Sequence, residues 1–133
     1  MKILKGVIAI MTKDGKLLVT KRKMEPFKGM YWFLGGFIEE NENHEDALIR
    51  EVKEESGFDV EIRDYIGTSK TKYKNSFYQI SIFKSEIVGG SKKIQKKEIE
   101  EIKWMDTDDF IENLRKNNDF PKDKINFLTK IIS

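Results

Sequence analysis

The chain has 133 residues, enough for one domain and hardly for two. It has no Cys and a single His, His44, which excludes a disulfide frame, a thiolate nucleophile and a metal centre built on cysteines or several histidines. With 38% hydrophobic and 36% charged residues it reads as globular with a heavily charged surface, and a net charge of +2 gives no argument for a nucleic-acid partner.

The opening "MKILKGVIAIM" is basic and then apolar, like the start of a signal peptide. Gly6 interrupts it, the apolar run from Val7 to Met11 is short, and no small-residue cleavage site follows, so it reads as a first strand. No apolar run approaches the ~20 residues of a membrane span. A cytoplasmic protein without a membrane partner is the resulting expectation. Ile3 to Met11 and Lys16 to Arg22 are rich in Val, Ile and Leu, and "KDGK" between them signals a hairpin. Lys21 to Met30, with Pro26 and Gly29, reads as a loop, and "YWFLGG" as a short strand entering a double glycine. "NHEDALIREVKEESG" has helical marks: Asn43 as cap, Glu45 and Asp46 in the first turn, Gly57 at the stop. Phe58, Val60 and Ile62 then alternate with polar residues, as in a strand, and "KTKYKNS" reads as a strand end and a turn. Phe77 to Val88 is the longest expected strand. Phe77, Gln79, Ser81 and Phe83 would lie on one side of it, and Tyr78, Ile80 and Ile82 on the other. A basic loop, "GGSKKIQKKE", leads to a short strand, "EIKWM", and then to two helices, "DTDDFIENLRKN" and "PKDKINFLTKII". Hairpin-linked strands with a few helices argue for an α+β fold around a mixed sheet.

The helix poses a question of charge. Residues three and four apart share a helical face, so Glu51 meets Glu54 and Glu55, while Leu48 and Val52 form an apolar stripe for the sheet. Like charges at this spacing destabilise a helix by ~0.2–0.5 kcal/mol per pair, little enough for a solvated acidic face to be a sufficient reading of the cluster alone. The other reading is a site for Mg²⁺, a hard ion that takes oxygen ligands and works with phosphate-bearing substrates.

The surroundings separate the two. From Gly36 the chain runs "GFIEENENHEDALIREVKEESGF": Gly36, five residues, Glu42, seven residues, Arg50-Glu51, apolar Val52, Lys53, Glu54-Glu55, Ser56, Gly57, apolar Phe58. This resembles the Nudix box, with every defining position matched. The resemblance implies a Nudix-like α/β/α sandwich with a mixed β-sheet, as a single Nudix hydrolase domain over residues 1–133. It also implies Mg²⁺-dependent (or Mn²⁺-dependent) hydrolysis of a diphosphate linkage in a nucleoside diphosphate derivative, by direct attack of water. By the same resemblance Glu51, Glu54, Glu55 and Arg50 form the catalytic set. Glu51, Glu54 and Glu55, with the Gly36 carbonyl, look like metal ligands; Glu51 or a neighbour orients or deprotonates the attacking water. Arg50 pairs with a carboxylate of the box, and Glu42 organises the loop. Leu34 stands where many members have Pro, and Asn41 where Gly often precedes the Glu, which puts the loop geometry in question rather than the metal site.

Outside the box the readings stay double. Glu98, before the "IKWM" strand, is the preferred further metal ligand, against a solvated Glu/Lys loop. Arg22 is expected to meet phosphate at its strand end. Phe27 and Trp32 are candidates for substrate contact, against a packed loop anchor and a core residue. Lys70, Lys72 and Lys74 suit an anionic ligand, but a solvated edge that blunts aggregation explains them more simply. "GGFIEE" resembles members acting on ADP-ribose or NADH-like compounds, while the small domain equally resembles enzymes acting on nucleoside triphosphates. Two further alternatives are a non-catalytic nucleotide-sensing domain and an RNA 5′-pyrophosphohydrolase. Many family members are dimers, so the resemblance carries a homodimer as an expectation, although no stripe in the sequence marks an interface.

Overall fold

A computed structural model of the protein describes residues 2–25 and 27–132; Pro26, part of the expected loop, lies outside them. Strands β1 (Lys2–Ile10), β2 (Thr12–Lys13), β3 (Lys16–Arg22) and β4 (Tyr31–Phe37) precede helix α1 (His44–Ser56). Strands β5 (Phe58–Tyr73), β6 (Ser76–Gly90) and β7 (Ile99–Asp106) follow, then helices α2 (Thr107–Lys116) and α3 (Lys122–Ile132). The chain gathers into two compact units, residues 1–11 with 34–93 and residues 12–33 with 94–133. Continuous strand β4 supplies Leu34 to Phe37 to the first and Tyr31 to Phe33 to the second.

The first unit has a mixed sheet. β1 runs antiparallel to β4, with Gly6 opposite Phe37 and Val7 opposite Gly36, and parallel to β6, with Val7 opposite Ser81. β5 runs antiparallel to β6 along its length. Because side chains alternate across a strand, one face carries Val7, Ala9, Ser81 and Phe83, and the other Leu4, Gly6, Tyr78 and Ile80, as the alternation in β6 led one to expect. Helix α1 packs on β1 and β5, burying Ala47, Leu48 and Val52 completely. Burial of the Leu48 and Val52 side chains is worth about 1.5–3 kcal/mol each. The helix starts where Asn43 accepts the Asp46 N–H at 2.8 Å and ends at Gly57, whose φ of 81° and N–H to the Lys53 carbonyl make a left-handed cap.

In the second unit β3 pairs with β7 and with the start of β4, all antiparallel. Helix α2 packs on β7 and β3, burying Phe110 and Leu114, and contacts α3.

The α+β class with a mixed sheet and three helices stands as expected. Two local readings change. The Asp14-Gly15 turn, with φ of 51° and 75°, joins β3 to the two-residue β2 rather than to β1, whose partners are β4 and β6. Strand β5 ends at Tyr73, inside the expected strand end "KTKYKNS", but its 16 residues make it longer than β6 with 15, which holds the strand expected to be the longest. The register of β5 shifts at Asp59/Val60, Ile62/Asp64 and Tyr65/Gly67. Each bulge breaks the two-residue alternation while the strand continues. Among the described residues no helix is long and apolar enough to cross a membrane.

Candidate active site

Arg50, Glu51 and Glu55 of α1 face the end of β4 and the loop that follows it, within the first unit. Arg50 is the hub. Its Nε and Nη2 donate to the two oxygens of Glu42 at 2.7 and 2.9 Å. Its Nη1 donates to Glu51 at 2.9 Å and to Glu54 at 3.2 Å, and Nη2 also reaches the Phe37 carbonyl at 3.1 Å. Glu39 adds a looser ion pair at 3.6 Å. The planar fork of a guanidinium suits this bridging, which an ammonium on a flexible stem reproduces poorly. Glu42 ties the loop twice, because it also accepts the Glu39 N–H at 3.0 Å. The Arg50 guanidinium first, and the Glu39 N–H second, hold the Glu42 carboxyl at about 2, well below its usual 4.5. The same carboxylates push the Arg50 pKa upward, the hydrogen bond to Glu42 most of all.

Glu55 takes a different partner: its carboxylate accepts the Gly35 N–H at 2.8 Å. The two glycines each meet a spatial demand. A Cβ on Gly35 would overlap the Val7 carbonyl oxygen, and its φ of 152° is one that side chains disfavour. A Cβ on Gly36 would overlap the Glu51 carboxylate, so that acid lies directly against the backbone of β4. Asn41, in the place where Gly is common, has φ of 67°, which Asn tolerates better than other side chains. Leu34 is fully buried and pairs with Ala9, so the strand runs on without proline.

One guanidinium thus serves four carboxylates, those of Glu39, Glu42, Glu51 and Glu54. The cluster is net negative, and its donors are oxygens only, which suits a hard divalent cation and no soft one. Among the described residues no three acids or imidazoles are already gathered tightly enough to hold an ion; Glu51 and Glu54 are turned to Arg50, and Glu55 to Gly35. Glu54 has 56% of its side chain exposed and touches Arg50 through a single oxygen, so it is free of packing that would resist reorientation.

The remaining expected residues belong to the second unit. Glu98 is exposed in a turn, its N–H bonded to the Gln95 side chain at 2.9 Å and its carbonyl to the Lys23 N–H at 3.0 Å. Arg22 ends β3 opposite Ile99, where the register shifts. Phe27 meets Phe120 edge-on with centroids 6.2 Å apart, and Trp32 packs on Phe33, Phe110 and Phe120 at 5.1, 6.4 and 5.6 Å. Both rings thus share one aromatic cluster. Two participants were not singled out in the sequence. Glu39 joins the Arg50 network, and the doubled acid "EE" three residues before Glu42 was the available signal. The Phe37 carbonyl also joins it, a backbone group that no side-chain pattern announces.

The family model of the NUDIX domain matches residues 3–128. An ADP-ribose pyrophosphatase of Methanocaldococcus jannaschii is 38% identical over 90 residues, 66% of this chain and 53% of that protein. An NAD-capped RNA hydrolase NudC of Pseudomonas putida is 32% identical over 108 residues, 81% of this chain and 38% of that protein. The chain therefore spans about half, or less, of the length of these curated relatives. The solved MutT protein from Methanosarcina mazei Go1 superposes with a TM-score of 0.76 at 20% identity, covering 97% of this chain and 92% of that one, a likeness of fold. The box that Arg50 knits together and a family match over nearly the whole length lead to one assignment: the chain belongs to the NUDIX domain family.

Proposed function

We propose that the protein hydrolyses a diphosphate linkage in a nucleoside diphosphate derivative, with Mg²⁺ or Mn²⁺ as cofactor. The observation that carries this reading is the excess of carboxylate over guanidinium charge gathered at α1 beside the Gly35-Gly36 backbone. Glu51, Glu54 and Glu55, with the Gly36 carbonyl, would hold the cation, and Glu98 is carried as a further ligand. A divalent cation there supplies charge neutralisation of the diphosphate and a lowered pKa of bound water. Arg50 and Glu42 keep the loop and the acids in place. A carboxylate oxygen of Glu51, or of its neighbour Glu54, takes the proton of the attacking water. The water oxygen bonds to one phosphorus as the bridging P–O bond breaks, leaving two phosphate groups. Arg22, Phe27 and Trp32 are carried as substrate contacts.

The relatives named for ADP-ribose and for NAD-capped RNA support a substrate with a nucleoside diphosphate core. RNA 5′ ends are a second reading. It is favoured by the stretch between Asp64 and Glu86, which has Lys70, Lys72, Lys74 and Lys84 and no acid. Purified protein with Mg²⁺ is to be assayed against ADP-ribose, NADH, nucleoside triphosphates and 5′-triphosphorylated RNA. Cleavage of at least one, abolished in Glu54→Gln and Glu55→Gln, is expected. No cleavage of any, or full activity in both variants, would overturn the proposal.

A further inference from the structure

We infer that the outer end of the first unit's sheet, on the face that bears α1, is a platform for single-stranded RNA. The inference rests on the second reading of the box, in which RNA 5′ ends are the substrate. Strand register builds the face. Lys5 on β1, Gln79 on β6 and Lys70 on β5 stand side by side in one row, and Ile3, Phe77 and Lys72 in the next. Val7 and Ser81, one row inward, are buried. The two outer rows are open: Lys5, Lys70 and Lys72 are exposed, Ile3 is 58% exposed, and Phe77 and Gln79 are half-buried. Residues 2–5 and 68–79 contain no acid.

Lysines on an edge strand keep sheets from pairing edge to edge. That accounts for Lys70 and Lys72, because β5 ends the strand order. It does not account for Lys5, because β1 lies between β4 and β6, nor for a phenylalanine ring set among the ammonium groups. A flat surface with separated cations around an aromatic ring matches an extended polyanion that also carries rings. The ammonium groups meet phosphates, and the Phe77 face takes a base, since every base has a π-face. A carboxylate-rich peptide would use the lysines and leave the ring idle. Three strands about 4.8 Å apart make the face about 10 Å across, room for about two or three nucleotides, as on other sheet-face RNA modules. The face also adjoins the box. The Lys5 carbonyl accepts the Ile38 N–H at 2.9 Å, and from Ile38 the loop leads to Glu42, which Arg50 holds. An RNA whose 5′ phosphates sit at the box has this cationic surface to follow beside the loop.

The test is fluorescence anisotropy of a short single-stranded RNA, labelled at its 3′ end and carrying a 5′ hydroxyl, which offers the box nothing to cleave. Phe77→Leu keeps apolar bulk and loses the π-face. It is expected to weaken binding about fivefold or more without altering the salt dependence, and Phe77→Trp to keep wild-type affinity. Lys5→Gln combined with Lys72→Gln is expected to lower the slope of log affinity against log salt by about 1.4, two contacts at about 0.7 each on a single strand. Cleavage of ADP-ribose in the same proteins stays at the wild-type rate. No RNA binding by wild type, an affinity and a slope unmoved in the variants, or equal affinity for polyglutamate overturns the platform. If RNA binding follows these residues while 5′-triphosphorylated and NAD-capped RNA stay uncleaved, the RNA reading of the box fails and the platform stands.

Discussion

Helices α1 and α2 both open with acids in the first turn, Glu45 and Asp46 in one and Asp108 and Asp109 in the other. They part at the far end. In α2 the last turn carries Arg115 and Lys116, as the helix dipole favours, and the Arg115–Glu112 pair at 4.0 Å is exposed on both sides. In α1 the last turn carries Lys53, as the dipole favours, but also Glu54 and Glu55 against it, and the compensation of those two acids comes from Arg50 and from the Gly35 N–H. Charges that obey the dipole describe a solvated helix. Charges that defy it, and need an arginine hub and a backbone donor from another strand, describe a site.

The largest test of this contrast exchanges acids for amides. Glu54→Gln or Glu55→Gln is expected to lower kcat about 10²-fold or more in a diphosphatase assay, while Glu112→Gln on α2 leaves it unchanged. Next, Gly36→Ala presses a methyl against the Glu51 carboxylate and is expected to cost about 10²-fold in kcat/KM through misplacement. Its thermal unfolding should shift little, because the carboxylate can move into solvent; an unchanged rate would show that Glu51 does not act from this position. Arg50→Lys keeps the charge and loses the fork. With 23% of the Arg50 side chain exposed, the expected loss is about 1–2 kcal/mol in denaturant unfolding, against about 0.5 kcal/mol or less for Arg115→Lys.

The pH dependence gives a smaller and sharper difference. Arg50 lowers the folded pKa of Glu42 to about 2 from 4.5, so the pair's stabilisation is present above 4.5 and is lost as pH falls from there through 2. The gap in Tm between wild type and Glu42→Gln should be constant near neutral pH and close toward pH 2. A gap that persists there would place the effect in packing rather than in charge.

The box was legible because its demands are local. Helical periodicity puts Glu51, Glu54 and Glu55 on neighbouring turns, Asn43 and Gly57 mark the ends of the helix, and Gly35-Gly36 announces a close approach. Other features depend on residues far apart in the chain. The turn at Asp14-Gly15 was readable, but not which strand it would serve, since β1 is claimed by β4 and β6. The bulges of β5 hid a long strand behind broken alternation. Phe27 and Trp32 offered both a ligand contact and an anchor or core reading, and their ring neighbours Phe110 and Phe120 come from the distant C-terminal segment that no local pattern ties to them.

By itself the sequence determined the cluster of carboxylates, the helix that bears it and the family's pattern, because caps, periodicity and residue type act within a few turns of the chain. Only the tertiary structure decided that Arg50 answers four acids at once, that Glu55 turns to Gly35, and that Lys5 and Lys72 share a face with Phe77. Apart from Glu51 and Glu54, which share the helix of Arg50, those partners come from separate segments, and the course of strands and loops, which no local pattern specifies, brings them together.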